Sequence, residues 1–219
     1  MKIPKIIHQC WIGPYKKPKE LMKTWKDIYR DWEYIEWDED KIDKLKLVNL
    51  RLYNEYLEGE TNQWNGAANI LRYEILYRYG GFWADADSRC IKKIEDLFLM
   101  NDCFTTYVNE RLAGRRIGNA FIGASKNNEL MKLLINDLSK LETIKGGESW
   151  KITGPLFITQ VVKKYKYMNL KIYPSYYFMP KHYSGREHSG TLNIYAKHLW
   201  GTTLLHKGKE SYDGEDFGK

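Results

Sequence analysis

The chain has 219 residues, 43% of them apolar and 15% aromatic, and a net charge of +7. This composition can fill a core, which excludes a disordered chain, and the length suits one domain over residues 1–219. No apolar run approaches the roughly 18 residues of a bilayer span, and the basic residues (Lys16, Lys17, Arg115, Arg116, Lys163, Lys164) are scattered, so neither a transmembrane segment nor a nucleic-acid partner is expected.

The opening "MKIPKIIHQCWIG" is a poor signal peptide and a good first strand, Lys5 to Gly13. Pro18 suits the start of a helix carrying Leu21, Trp25 and Ile28 at helical spacing. "EYIEWDED" reads as a second strand and "DKIDKLKLVNLRLYNEYLEG" as one or two short helices. In "NGAANILRYEILYRYGG", Ala68, Leu71, Ile75 and Tyr79 form one helical face, Asn65 is a candidate N-cap, and Gly80–Gly81 is a stop. "FWADAD" then reads as a strand with Phe82, Ala84 and Ala86 on one face and Trp83, Asp85 and Asp87 on the other. Further strands are expected in "CFTTYVNE", "NAFIGAS", "NLKIYPSYYFMP" and from Ile194 to Trp200. Further helices are expected in "NNELMKLLINDLSKL" and from Pro155. "KGGESWKITGP" reads as a loop, "HYSGREHSG" as a mobile polar segment, and about 205–219 as a polar tail. The alternation of strands and helices predicts an α/β sandwich with a mostly parallel central sheet flanked by helices.

Asp85 and Asp87 fall at the C-terminal end of their strand, the edge at which open α/β sheets bind ligands. Two neighbouring carboxylates repel unless a cation lies near them. All-oxygen ligation suits Mg²⁺ or Mn²⁺, with substrate phosphates completing the shell. The three cysteines (Cys10, Cys90 and Cys103) are odd in number and lack C-x-x-C spacing, so reduced thiols and a cytoplasmic location are expected.

"AANILRYEILYRYGGFWADADS" resembles the D-x-D sugar-binding region of family 32 glycosyltransferases. Relatives of that family include the clostridial glucosylating toxins and eukaryotic mannosyl- and galactosyltransferases. The chain supplies Arg72, Tyr73, Leu76, Tyr77, Tyr79, Gly80, Gly81, Asp85 and Asp87 of the pattern. "IPKIIHQCWIG", "NAFIGAS", "TGP", "YPSYYFMP" and "YAKHLW" are similar to further family segments in the same order. Two positions depart: Ala68–Asn69 stands where the family has Ser-Asp, and Leu199 replaces the second His of H-H-W.

The resemblance implies a GT-A fold and a metal-dependent, retaining hexosyltransferase. It makes Asp87 the direct Mn²⁺ (or Mg²⁺) ligand, Asp85 a ribose and metal contact, and His198 a third metal or phosphate ligand. Arg72 is expected at the diphosphate or a sugar hydroxyl, Trp11 at the nucleobase, and Asn69 at the donor sugar. Lys207, with Lys209, is expected to close over the diphosphate. The expected donor is a UDP-hexose, with GDP-mannose second, and the acceptor a glycan hydroxyl. Tyr176, Tyr177 and Phe178 are an acceptor platform or packed loop residues. Two other readings stand beside this one: a nucleotide-sugar-binding module without catalysis, suggested by Asn69, and a basic phosphodiester-cleaving protein, suggested by the charge.

Overall fold

The computed structural model describes residues 2–58, 63–188, 190 and 193–206. In chain order the elements are β1 (Ile6–Cys10), α1 (Lys19–Ile28), β2 (Glu33–Trp37), α2 (Glu39–Asp43), α3 (Leu50–Glu58), α4 (Trp64–Tyr79), β3 (Gly81–Ala84) and β4 (Ser88–Cys90). There follow α5 (Asp96–Leu99), β5 (Cys103–Thr106), β6 (Phe121–Ala124), α6 (Glu129–Leu138), α7 (Ser149–Ile152), α8 (Pro155–Lys164), β7 (Leu170–Tyr173), β8 (Ala196–His198) and α9 (Gly201–His206).

Six strands form the central sheet in the order β2-β1-β3-β6-β5-β7. The pairs β1–β2, β1–β3 and β5–β7 are parallel, and β6 runs against both its neighbours. The sheet is thus mostly parallel with one reversed strand. Alternation along β3 sends Phe82 and Ala84 into one core and Trp83 into the other. The first core holds α1 and an aromatic cluster in which Trp25 packs against Tyr29, Phe82 and Phe121. The second holds α3, α4, α6 and α8. Removing the Trp25 ring would cost about 3–5 kcal/mol.

The helix α4 is buried almost continuously from Gly66 to Leu76, so it lacks the exposed polar face of a surface helix. It ends at Gly80 and Gly81, which have φ values of 67° and 104°. A Cβ on Gly81 would lie 2.8 Å from His8 Nε2 and from the Ile6 carbonyl oxygen. This tight passage lets β3 start directly beside β1.

A two-stranded ladder joins chain segments more than a hundred residues apart: β4 pairs with β8 in antiparallel register, Ser88 opposite His198. The residue after Asp87 is therefore locked beside His198.

Several boundaries differ from the sequence reading. The strand β3 stops at Ala84, and Asp85 to Asp87 make a turn into β4 rather than continuing a strand. Asn65 is not the N-cap of α4; the helix starts at Trp64, and the capping residue Gln63 spends its side chain on Gly147 and Ser149. The segment expected to be a loop contains α7, and the strand expected over Ile194–Trp200 shortens to β8. "HYSGREHSG" holds two buried histidines: His188 Nδ1 lies 2.8 Å from Ser175 Oγ, and His182 Nδ1 lies 2.9 Å from Ser184 Oγ.

Candidate active site

The C-terminal ends of β1 and β3, the first turns of α4, the approach to β6, α7 and the segment after β8 enclose a cleft of about 680 Å³. This is the size of a site for a small organic ligand.

Asp85 is placed at the centre by its backbone N–H, which donates to the Ala120 carbonyl at 3.0 Å. Its Oδ1 accepts from the Trp83 indole N–H at 2.9 Å and lies 3.1 Å from Arg72 Nη1. Its Oδ2 is 3.5 Å from His198 Nε2. Asp87 is buried; its Oδ1 is 3.3 Å from His198 Nε2, and its Oδ2 accepts the Gly201 backbone N–H at 2.8 Å. The turn after Ala84 thus brings together two carboxylates that a straight strand would have carried in parallel.

His198 is buried, and its Nε2 has no hydrogen-bond partner among the described residues. The Trp200 backbone N–H, 3.2 Å from Nδ1, orients the ring so that Nε2 faces the carboxylates. Burial pushes the His198 pKa down, but the charges of Asp87 and Asp85 outweigh it and raise the value to about 9. Burial pushes the Asp87 carboxyl up, yet His198 and the Gly201 N–H hold it below the usual carboxylate range. Trp200 itself has φ 59°, a left-handed conformation uncommon for a bulky residue. The surrounding packing maintains it: the Trp200 indole N–H donates to the Lys181 carbonyl at 2.7 Å.

Arg72 is buried, with its guanidinium over the Trp83 ring at 5.1 Å. Its Nε donates to the Ala68 carbonyl at 3.3 Å, and Nη1 donates to the Asn119 carbonyl. Nη2 has no protein partner among the described residues.

Asn69 lines the cleft but is already engaged. Its Oδ1 accepts from Asn119 Nδ2 at 2.9 Å and its Nδ2 donates to Thr153 Oγ1 at 3.2 Å. Trp11 lines the β1 end, its indole N–H donating to the Tyr15 carbonyl at 2.9 Å. The structure therefore gathers Trp11, Asn69, Arg72, Asp85, Asp87 and His198 around one cleft. Lys207, Lys209 and the rest of the tail beyond residue 206 lie outside the described residues. Tyr176 and Phe178 are buried in the loop after β7 and do not line the cleft, which agrees with the packed-loop reading of these residues and not with the acceptor platform.

Sequence reasoning missed Trp64, Trp83, Arg116, Asn119 and Trp150 as cleft residues. Trp64 Nε1 and Asn65 Oδ1 are buried without partners among the described residues. Trp83 had a signal, since its place two residues before Asp85 puts it on the same strand face. Trp64 and Trp150 stand in the first turns of α4 and α7, and Arg116 and Asn119 in the loop before β6, so their meeting depends on tertiary packing that the pattern does not encode.

One ligand atom each from Asp85, Asp87 and His198 lie within 4.8 Å of one another. Two carboxylate oxygens and an imidazole nitrogen suit Mn²⁺, and the unpartnered Nε2 aimed at two carboxylates fits a cation between them.

The architecture is that of the GT-A fold, and the cleft with its Asp85–Asp87 pair is similar to the sites of DXD-containing glycosyltransferases. A family profile described as "Glycosyltransferase sugar-binding region containing DXD motif" matches residues 16–105. Inositol phosphoceramide mannosyltransferase 2 of Schizosaccharomyces pombe is 27% identical over 179 residues, 75% of this chain and 47% of that protein. Uncharacterized glycosyltransferase L373 of Acanthamoeba polyphaga mimivirus is 28% identical over 196 residues, 81% of this chain and 73% of that protein. The UDP-bound glycosyltransferase domain from the YGT toxin has a TM-score of 0.58 at 10% identity, over 78% of this chain and 79% of that one, a likeness of fold. The chain spans about half the length of the yeast relatives it matches. Among the described residues, no helix is long and apolar enough to cross a membrane.

Proposed function

We propose that this chain transfers a hexose from a nucleotide-sugar to a hydroxyl of a glycan acceptor, with Mn²⁺ (or Mg²⁺) held by Asp85, Asp87 and His198. The observation that carries the reading is the meeting of Asp85 Oδ2, Asp87 Oδ1 and His198 Nε2 in the cleft. When bound there, the cation neutralises the diphosphate leaving group.

The protein groups prepare for this. Trp83 and Arg72 hold Asp85 through Oδ1, leaving Oδ2 turned to the cation site. Gly201 holds Asp87 through Oδ2, leaving Oδ1 turned the same way. Arg72 keeps Nη2 for a phosphate or sugar oxygen, as a fixed guanidinium does well. The Trp11 face, at the β1 end, takes the nucleobase. As the C1–O bond to the diphosphate breaks, the sugar passes through an oxocarbenium-like state; the acceptor hydroxyl attacks C1 on the face the diphosphate leaves, which gives retention, and its proton passes to the departing phosphate oxygen.

UDP-hexose and GDP-mannose are the donors to compare. The mannosyltransferase names of the yeast relatives favour mannose as the sugar. Asn69 favours altered donor choice: it lacks the charge of an aspartate, and its amide is bound by Asn119 and Thr153. We place the activity in the cytoplasm, supported by buried, unpaired Cys10, Cys90 and Cys103.

The test is a hydrolysis and transfer screen of UDP- and GDP-sugars with and without Mn²⁺, with the product anomer read by NMR. Metal-dependent release of one nucleotide, lost in Asp87→Asn, supports the reading. No binding or turnover of any sugar nucleotide overturns it.

A further inference from the structure

The cleft has an end that the donor does not account for. In the sheet order, β1 with Trp11 lies on one side of β3 and its aspartates, and β6 and β5 lie on the other. A donor with its base at Trp11 and its diphosphate at Asp85 and Asp87 leaves the β6–β5 side for the acceptor.

That side carries Arg116, half-buried, with its guanidinium 4.8 Å from the centre of the Trp150 ring. Its backbone is fixed on both flanks. The Arg116 carbonyl accepts from Val108 N at 2.9 Å, Ile117 bridges to Tyr107, and Ile117 N donates to Thr159 Oγ1 at 2.9 Å. Trp150 is fixed in turn, because Gln63 Oε1 accepts the Ser149 N–H at the start of α7 at 2.6 Å.

Arg72 and His198 face Asp85 and Asp87, and Lys151, whose ammonium lies 5.1 Å from the centre of the same Trp150 ring, pairs with Glu148. Arg116 has no carboxylate partner among the described residues. A guanidinium laid on an indole, with its N–H edges unpaired among the described residues, matches the planar or tetrahedral oxygens of an anion.

We infer that Arg116, seated on Trp150, is an acceptor subsite for a sugar bearing a negatively charged substituent, phosphate or carboxylate. The inference rests on the glycosyltransferase reading for its geometry, yet it is tested separately.

The test is calorimetric titration of the full chain, saturated with Mn²⁺ and whichever of UDP or GDP raises the melting temperature more. The probes are methyl α-glucoside 6-phosphate, methyl α-glucuronide and uncharged methyl α-glucoside. Vesicles of phosphatidylinositol, compared with phosphatidylcholine, present a phosphate-linked polyol ring on a lipid. The wild type should prefer at least one charged probe over its neutral counterpart by about tenfold or more, as expected for a charge-assisted pair. Arg116→Gln should abolish that preference while leaving nucleotide and Mn²⁺ affinity within about twofold, and Arg116→Lys should restore part of it. Preference for the vesicles indicates a lipid-borne acceptor and preference for the soluble probes a free glycan, and both support the subsite. The inference is overturned if the wild type shows no preference, including no binding of any charged probe. It is also overturned if Arg116→Gln keeps the preference, or if that variant loses nucleotide affinity, which would assign Arg116 to the donor. A wild type that binds no nucleotide with Mn²⁺ contradicts the transferase reading instead; the probes are then titrated without nucleotide, and the same comparison decides for or against the subsite.

Discussion

Asp87 uses its two carboxylate oxygens in opposite directions: Oδ2 accepts the Gly201 N–H at 2.8 Å, and Oδ1 faces His198 Nε2 at 3.3 Å. One side chain thus anchors the start of α9 and faces the proposed cation. Asp87→Asn keeps an oxygen for Gly201 and loses the charge, whereas Asp87→Ala loses both. Urea denaturation of the metal-free variants should therefore find Asp87→Ala less stable than Asp87→Asn by about 1 kcal/mol, the value of a capping bond. Both should lose Mn²⁺-dependent nucleotide binding.

Trp83 positions Asp85 through a single hydrogen bond, so its ring and its N–H can be separated. Trp83→Phe keeps an aromatic face under Arg72 but removes the donor to Asp85 Oδ1. The loss of one such bond predicts Mn²⁺ binding weaker by about three- to tenfold. A wild-type Mn²⁺ affinity in this variant would show that Asp85 needs no help from Trp83.

His8 makes the fold pH-dependent at a point away from the cleft chemistry. It is fully buried, lies 2.8 Å from the Gly80 carbonyl through Nε2 and accepts the Trp37 indole N–H at 3.1 Å through Nδ1. Burial lowers its pKa to about 4, against the partial opposition of the Gly80 bond. The unfolded chain protonates this ring near pH 6.5, before the folded chain can. The stabilisation is therefore present above pH 6.5 and is lost as the pH falls from 6.5 toward 4. Between pH 7 and 4.5 the loss from this residue is about 2.5 kcal/mol by linkage. His8→Gln should be less stable at pH 7 yet show a correspondingly smaller drop to pH 4.5 in urea titrations.

Asn69→Asp reinstates the acid common in the resembled family at a position held by Asn119 and Thr153. The new carboxylate can still accept from Asn119, and Thr153 Oγ1 can turn to donate to it, so stability should change by no more than about 1 kcal/mol. Donor preference, measured as the ratio of kcat/KM between UDP- and GDP-sugars, should shift. An unchanged ratio would remove residue 69 from donor selection.

The α/β alternation, the Gly80–Gly81 stop and the Asp85–Asp87 pair were legible in the sequence because each depends on local pattern: period, glycine conformation and short-range charge. The family-like segments also pointed to Trp11, Arg72 and His198. The route by which His198 reaches the aspartates was not legible, because it depends on a β4–β8 ladder between distant three-residue strands. The sequence also predicted too long a strand through Asp87. Alternation continues in the letters, but the chain turns at Asp85, where the N–H of that residue reaches Ala120. Asn65 read as a cap because Asn caps often, whereas Gln63 and the Gly147–Ser149 backbone fix the helix start through a tertiary contact.

One cation bound by Asp85, Asp87 and His198 is the centre of the proposed chemistry. The measurement is Mn²⁺ binding by electron paramagnetic resonance, with and without UDP or GDP, on the wild type and on Asp85→Asn, Asp87→Asn and His198→Gln. The prediction is one Mn²⁺ site in the wild type, tightened by one nucleotide diphosphate, abolished by Asp87→Asn and weakened at least about tenfold by each of the other two substitutions. Mn²⁺ binding with wild-type affinity in Asp87→Asn, or no nucleotide-coupled Mn²⁺ site in the wild type, would contradict it.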